Sequence, residues 1–190
     1  GLLALGAAQG YMGWYMVQSG LVDRPSVSQY RLAAHLSLAL IIFSLMFWLA
    51  LRLWRPVAIA IANPQSIPRS LHAHGIIALL CAAITITWGA FVAGLDAGMI
   101  YNEFPGMGGG LVPKEMWDHQ PAWINLFENH ASVQFTHRWL AIFTFFVVLS
   151  YAFRGFKFSG CKSFGLLGFW ILAQVGLGIA TLLTQVWIPL

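Results

Sequence analysis

The sequence predicts an all-α protein, a polytopic transmembrane helical bundle with five spans. Three observations predict it. The 190 residues are 59% hydrophobic and 8% charged, with a mean hydropathy of +0.74. A water-soluble fold of this size has too little interior to hide that much apolar surface. Apolar windows recur at the length that crosses a bilayer as helix, about 20 residues, and the charges gather between them. In lipid every backbone amide must be satisfied within its own segment, so these windows read as helices and not as open strands.

The first window, about 1–22, opens directly in GLLALGAAQG with neither an initiating Met nor a basic leader region, as expected of a chain that starts partway through a longer protein. The next four lie at about 31–54, 71–94, 133–153 and 165–188. Arg52, Arg55 and Arg69 flank the connection after the second window, and Arg154, Lys157 and Lys162 fill the one after the fourth. The loop 95–132 carries Asp96, Glu103, Glu115, Asp118 and Glu128 against Lys114 alone. By the positive-inside rule the two basic connections face the cytoplasm or matrix and the acidic loop faces outside. The net charge of +4 therefore reports topology, and no nucleic-acid partner is expected. Trp14, Trp139 and Trp187 stand near helix ends, where interfacial belts form.

The long outside loop contains Pro105-Gly106-Met107-Gly108-Gly109-Gly110. No strand precedes this run and no Gly-Lys-Ser or Gly-Lys-Thr ends it, which excludes a phosphate cradle. Tyr101, Phe104, Trp117, Trp123 and Phe127 suggest that the loop packs on the outer face of the bundle. Cys81 falls in an apolar span and Cys161 in a basic connection, with no disulfide framework or metal-ligand spacing.

Ala8-Gln9 with Gly13 in the first window matches Ala173-Gln174 with Gly178 in the fifth. Four spans separate the two points, so the repeats are parallel and related by an axis along the membrane normal. Gln and Gly also recur in membrane helices simply for packing. The same offset carries His35 past the last residue and His137 before the first. The chain then reads as the middle five spans of eight, arranged as two parallel four-helix repeats. Residues 1–54 form the second half of the N-terminal repeat and 55–70 a cytoplasmic or matrix linker. Residues 71–190 form the first three spans of the C-terminal repeat, with the outside loop at 95–132.

An ionisable residue inside a span is a functional-site candidate. His35 lies near the outer end of the second window and His137 near that of the fourth. Paired histidines on facing helices hold haem iron from both sides, in an apolar interior that accepts the macrocycle. Arg138 follows His137, and Arg31 precedes His35 by one turn on the same face. Guanidinium forks suit propionate carboxylates. The alternative for each histidine is an interhelical hydrogen bond. His72 and His74 point to different faces and cannot chelate together, so interface placement is expected. His119 reads as a solvated loop residue and His130 as a surface or capping residue. Paired carboxylates, serine triads and thiolate metal sites are absent.

Gln9-Gly10-Tyr11-Met12-Gly13-Trp14, Tyr30-Arg31-Leu32-Ala33-Ala34-His35, Phe91-Val92-Ala93-Gly94-Leu95-Asp96, Tyr101-Asn102-Glu103-Phe104-Pro105-Gly106 and Gln134-Phe135-Thr136-His137-Arg138 together resemble the haem A synthases, over essentially the whole chain. The long outside loop without cysteines looks like the subgroup of alphaproteobacteria and mitochondria. The resemblance implies spans three to seven of an eight-span oxidoreductase that oxidises a ring methyl of haem O to a formyl group, making haem A for terminal oxidase assembly. It implies that His35 ligates the iron of the substrate haem O and that His137 ligates a haem b; Arg31 and Arg138 stand beside them as the cofactor-binding candidates read from the residues. The family's catalytic glutamate lies on a span not present here, so no catalytic residue carries over. Haem O synthase and an electron-transfer partner are the implied protein partners. The implied location is the bacterial inner membrane or the mitochondrial inner membrane. A non-catalytic b-type cytochrome subunit is the alternative, and a transporter built from parallel repeats is a more distant one.

Overall fold

A computed structural model describes residues 1–22, 27–54 and 67–185. It contains α1 (Leu2–Val22), α2 (Gln29–Trp54), α3 (Arg69–Gly94), the single-turn α4 (Asn125–Glu128), α5 (His130–Ser159) and α6 (Lys162–Leu183). Helices α2, α3, α5 and α6 are long and apolar enough to cross a membrane. The first expected span, α1, is helical over its expected range but is not among them. Gln9, Gln18 and the glycines at 6, 10 and 13 dilute its apolar character.

The long helices pack in chain order: α1 on α2, α2 on α3, α3 on α5, α5 on α6. Each neighbour runs antiparallel to the last. Gln29 and Tyr30 at the start of α2 meet Gly94 and Phe91 at the end of α3. His74 near the start of α3 meets Arg154 near the end of α5. This alternation is the one the loop charges require. Leu3, Leu53 and Leu79 are more than two-thirds exposed. A lipid-facing surface needs such residues, because lipid tails are as apolar as leucine. The interior holds Ala33, Ala90, Phe91 and Val133, and with them the polar Ser132, Gln134, Arg138 and Thr144. The described parts thus form an integral membrane helical bundle.

Both ends of α5 extend beyond expectation, for local reasons. Helix α5 starts at His130, earlier than 133, because the Asn129 side chain caps it by accepting the Ser132 amide at 2.9 Å. It runs on to Ser159 and stops at Gly160, whose φ of 62° suits only glycine well. The expected basic loop is therefore a tight turn. Arg154 and Lys157 belong to α5 and Lys162 to α6, and Lys157 lies over the Phe153 ring at 4.7 Å. Arg55, Trp187, most of the linker 55–70 and the end of the fifth window lie outside the described residues.

The acidic loop is folded by asparagines. Buried Asn125 holds both backbone groups of His119, and Asn129 donates to the Glu115 carbonyl at 2.7 Å. Met107 and Gly110 bridge across Gly108 and Gly109, both at positive φ. The loop's expected packing is only partial. Phe127 packs on Trp88 and Phe91, whereas Trp117 and Trp123 stay exposed.

Candidate functional site

His137 sits two turns into α5, against α3. A Cβ added at Gly89 would come within 3.1 Å of its Cε1. The ring therefore lies on bare backbone, and only glycine admits it that closely. One turn below Gly89, the Thr85 carbonyl lies 3.1 Å from His137 Nδ1. A carbonyl only accepts, so Nδ1 carries the hydrogen and Nε2 keeps its lone pair. Nε2 makes no hydrogen bond among the described residues. The Thr85 hydroxyl donates to Cys81 O at 2.9 Å and meets the Thr144 hydroxyl at 2.7 Å, which ties α3 to α5 one further step down.

His137 opens onto a cavity of about 920 Å³ lined by α3, α5, α6 and the start of the loop, Phe104 included. That is at the upper end of the range for organic ligands, roughly 300–1,000 Å³. Its walls are mainly apolar, among them Ile86, Val92, Ile142 and Val175, and its charged lining residues are Asp96 and Arg138. Gln174 and Gly178, the α6 half of the expected repeat, also line it. Gln134 reaches the cavity too, and its Oε1 is buried without a partner. A free imidazole lone pair and an apolar slot are the features that a metal-centred macrocycle needs.

Arg138 has a further task. Its Nη1 donates to the carbonyls of Glu103 at 3.0 Å, Pro105 at 3.3 Å and Gly106 at 2.6 Å, and its Nη2 to Tyr101 O at 3.4 Å. Gln134 donates to the same Tyr101 carbonyl at 3.0 Å. The guanidinium thus clamps the loop over the cavity while lining it. Outside the spans, the Tyr101 hydroxyl donates to Glu115 at 2.6 Å. That bond, ahead of burial, pushes the Tyr101 hydroxyl up to about 12. The same bond, foremost among its causes, holds the Glu115 carboxyl below its ordinary range.

His35 has a parallel seat on α1. A Cβ at Gly13 would lie 3.2 Å from its Cε1, and Gln9, one turn away, donates through Nε2 to the His35 carbonyl at 3.2 Å. The same amide nitrogen lies 3.3 Å from His35 Nε2. Arg31 does not point along with His35: it donates to Tyr15 O at 2.8 Å and stacks 3.8 Å above the Tyr15 ring. His35 and Arg31 are not in the wall of the His137 cavity.

His74, expected at the membrane interface like His72, is instead an interhelical residue. His74 bonds Val147 O, Ser150 and Arg154 between α3 and α5, while His72, His119 and His130 are exposed. Glu128, just before α5, joins the start of α2: it accepts from Tyr30 at 2.5 Å and Gln29 at 3.0 Å. Nothing in the composition singled out Thr85 or Gly89. The one available signal was spacing: Thr85 and Gly89 stand four apart, as Gln9 and Gly13 do.

Comparison with known proteins agrees over the full chain. The family model described as COX15-CtaA, cytochrome oxidase assembly protein, matches residues 1–190. A protein of Rhodospirillum centenum named heme A synthase is 50% identical over 194 residues, covering 100% of this chain and 51% of that protein. Proteins of the same name from Nitrosomonas eutropha and Paramagnetospirillum magneticum are 42% and 43% identical, each over 98% of this chain and 53% of its own length. The chain spans about half the length of these relatives. No solved structure matches.

Proposed function

The chain belongs to the COX15-CtaA cytochrome oxidase assembly family, and from that premise we propose that it is the central part of a haem A synthase, oxidising the ring methyl of haem O to a formyl group. The observation that carries the reading is the state of His137: Nδ1 is bonded to the Thr85 carbonyl and Nε2 is left free beside an apolar cavity. Ligating histidines are held in this way, with the second nitrogen bonded to fix tautomer and ring direction.

In this reading His137 holds the iron of a haem b through Nε2, and His35 holds the iron of the substrate haem O. Bound at His137, the group supplies one-electron transfer. The chain's own residues supply the rest. Thr85 keeps the proton on Nδ1, and Gly89 fixes how far the ring can approach α3. Arg138 holds the loop beside the cavity, and its remaining N–H groups suit a propionate. Arg31 offers the same chemistry near His35 while held on Tyr15. Positioning the reacting group is much of what a protein contributes to such chemistry. Residues 1–54 serve the substrate side and residues 71–190 the haem b side, joined through the 55–70 linker. The partners in this reading are haem O synthase and an electron carrier, in a bacterial or mitochondrial inner membrane.

The test is pigment analysis. The complete reading frame, expressed with a source of haem O, should yield haem A on extraction. Recovery of only haem B and unaltered haem O would replace this reading with a non-catalytic b-type cytochrome.

A further inference from the structure

His35 and His137 rest on the same kind of seat, a glycine against Cε1 and a hydrogen-bonding group one turn away, yet opposite ring nitrogens are engaged. At His137 a backbone carbonyl takes Nδ1 and leaves Nε2 open. At His35 the Gln9 side chain sits on Nε2 itself, and Nδ1 is buried without a partner. Which end of the Gln9 amide faces the ring follows from its other contact. The atom touching the ring is also 3.2 Å from the His35 carbonyl oxygen, and two carbonyl oxygens would repel there. It is therefore the NH2 group, one hydrogen going to the carbonyl and the other to the ring. His35 Nε2 must then accept, and the ring proton stays on Nδ1.

We propose that Gln9 is a placeholder for iron: it holds His35 in the ligating tautomer when no haem is bound, yields Nε2 to the iron on entry, and takes it back as the product leaves. The proposal rests on the reading of His35 as the substrate ligand. No proton changes hands in the exchange. The iron takes the lone pair that the amide N–H had shared, and Nδ1 keeps its hydrogen. The amide is not stranded, because its bond to the His35 carbonyl persists. Nor is the capped state deep, since Gln9 Oε1 and His35 Nδ1 are both buried without partners. His137, fixed by an immovable carbonyl with no competing donor among the described residues, has the arrangement of a permanent ligand. A cofactor that stays and a substrate that must be released call for that difference.

The experiment uses the complete protein with His137→Ala, so that the retained haem reports on the His35 side, and follows transfer of haem to apomyoglobin. Gln9→Met removes the competing donor, and haem loss should slow by about two- to tenfold, the worth of one neutral hydrogen bond. Gln9→Glu offers only an acceptor, favours the Nε2–H tautomer and should speed the loss. Rates unchanged in both, or moved in the same direction, overturn the placeholder. A measurement without any variant stands beside this. In the haem-free parent protein, nitrogen NMR of labelled histidine should show His35 with its proton on Nδ1, and a proton on Nε2 overturns the proposal. Failure of the parent protein to retain any haem would instead sink the functional reading.

Discussion

His137 and Arg138 are adjacent in sequence yet act on different partners, because successive helix positions point about 100° apart. Replacing His137 with Ala should abolish the haem b spectrum while the protein still inserts, and a normal spectrum would remove His137 as the ligand. Arg138→Met should act differently. It leaves the loop carbonyls at 103, 105 and 106 without their donor, and that of Tyr101 with Gln134 alone. Bonds from a charged donor are worth about 1.5–3 kcal/mol each, with shared acceptors counting less. A loss of about 2–4 kcal/mol in thermal stability is expected, together with partial haem loss. Arg31→Met should weaken retention on the His35 side only, since its guanidinium is held across α1 by Tyr15.

Between elements, the α3–α5 interface decides the ring geometry. Gly89→Ala would drive a methyl to 3.1 Å from His137 Cε1. The neighbouring Thr85 bond prevents the ring from simply moving away. Overpacking of this kind costs about 1–3 kcal/mol, and the haem b absorption and potential should shift with it. Thr144→Val breaks the hydroxyl contact with Thr85 without changing side-chain volume much. Interhelical bonds in membranes average about 0.6 kcal/mol, so stability should fall slightly and Thr144→Ser should restore it. Equal haem spectra in Gly89→Ala and the parent protein would show that α3 does not set the ring.

At the scale of the molecule, the acidic loop closes one end of the bundle and its fastening is pH-dependent. Glu115 has a depressed pKa, so its contribution is full above its ordinary value of 4.5 and is lost as pH falls through the lowered one. Tyr101 has a raised pKa, so its contribution is full below 10.0 and is lost as pH rises through about 12. The loop should therefore stay fastened between about pH 4.5 and 10 and loosen at both extremes. Limited proteolysis of the loop against pH reads this, and Tyr101→Phe should increase cleavage inside the window toward its acid-side level. A flat profile in the parent protein would show that Arg138 and the asparagines hold the loop without this pair.

Much of the protein was legible one segment at a time. Helix positions follow from runs of apolar residues, because lipid enforces intrahelical bonding wherever such a run is long enough. Alternating direction follows from Arg and Lys placement, and both candidate histidines stood out because a polar ring inside a span is costly. The cap that lengthened α5 was only half visible, since an asparagine before a helix could equally belong to the loop. The choice of ring nitrogen at His35 and His137 was not visible at all. It depends on whether a carbonyl of α3 or an amide of α1 lies within bonding distance across an interface, and residues far apart in sequence carry no periodic signal of meeting. The sequence by itself determined where the helices run and which side chains are expensive to bury. Only the tertiary structure decided what each of those side chains is bonded to, because hydrogen bonds between helices depend on distances that the pattern within a helix does not contain.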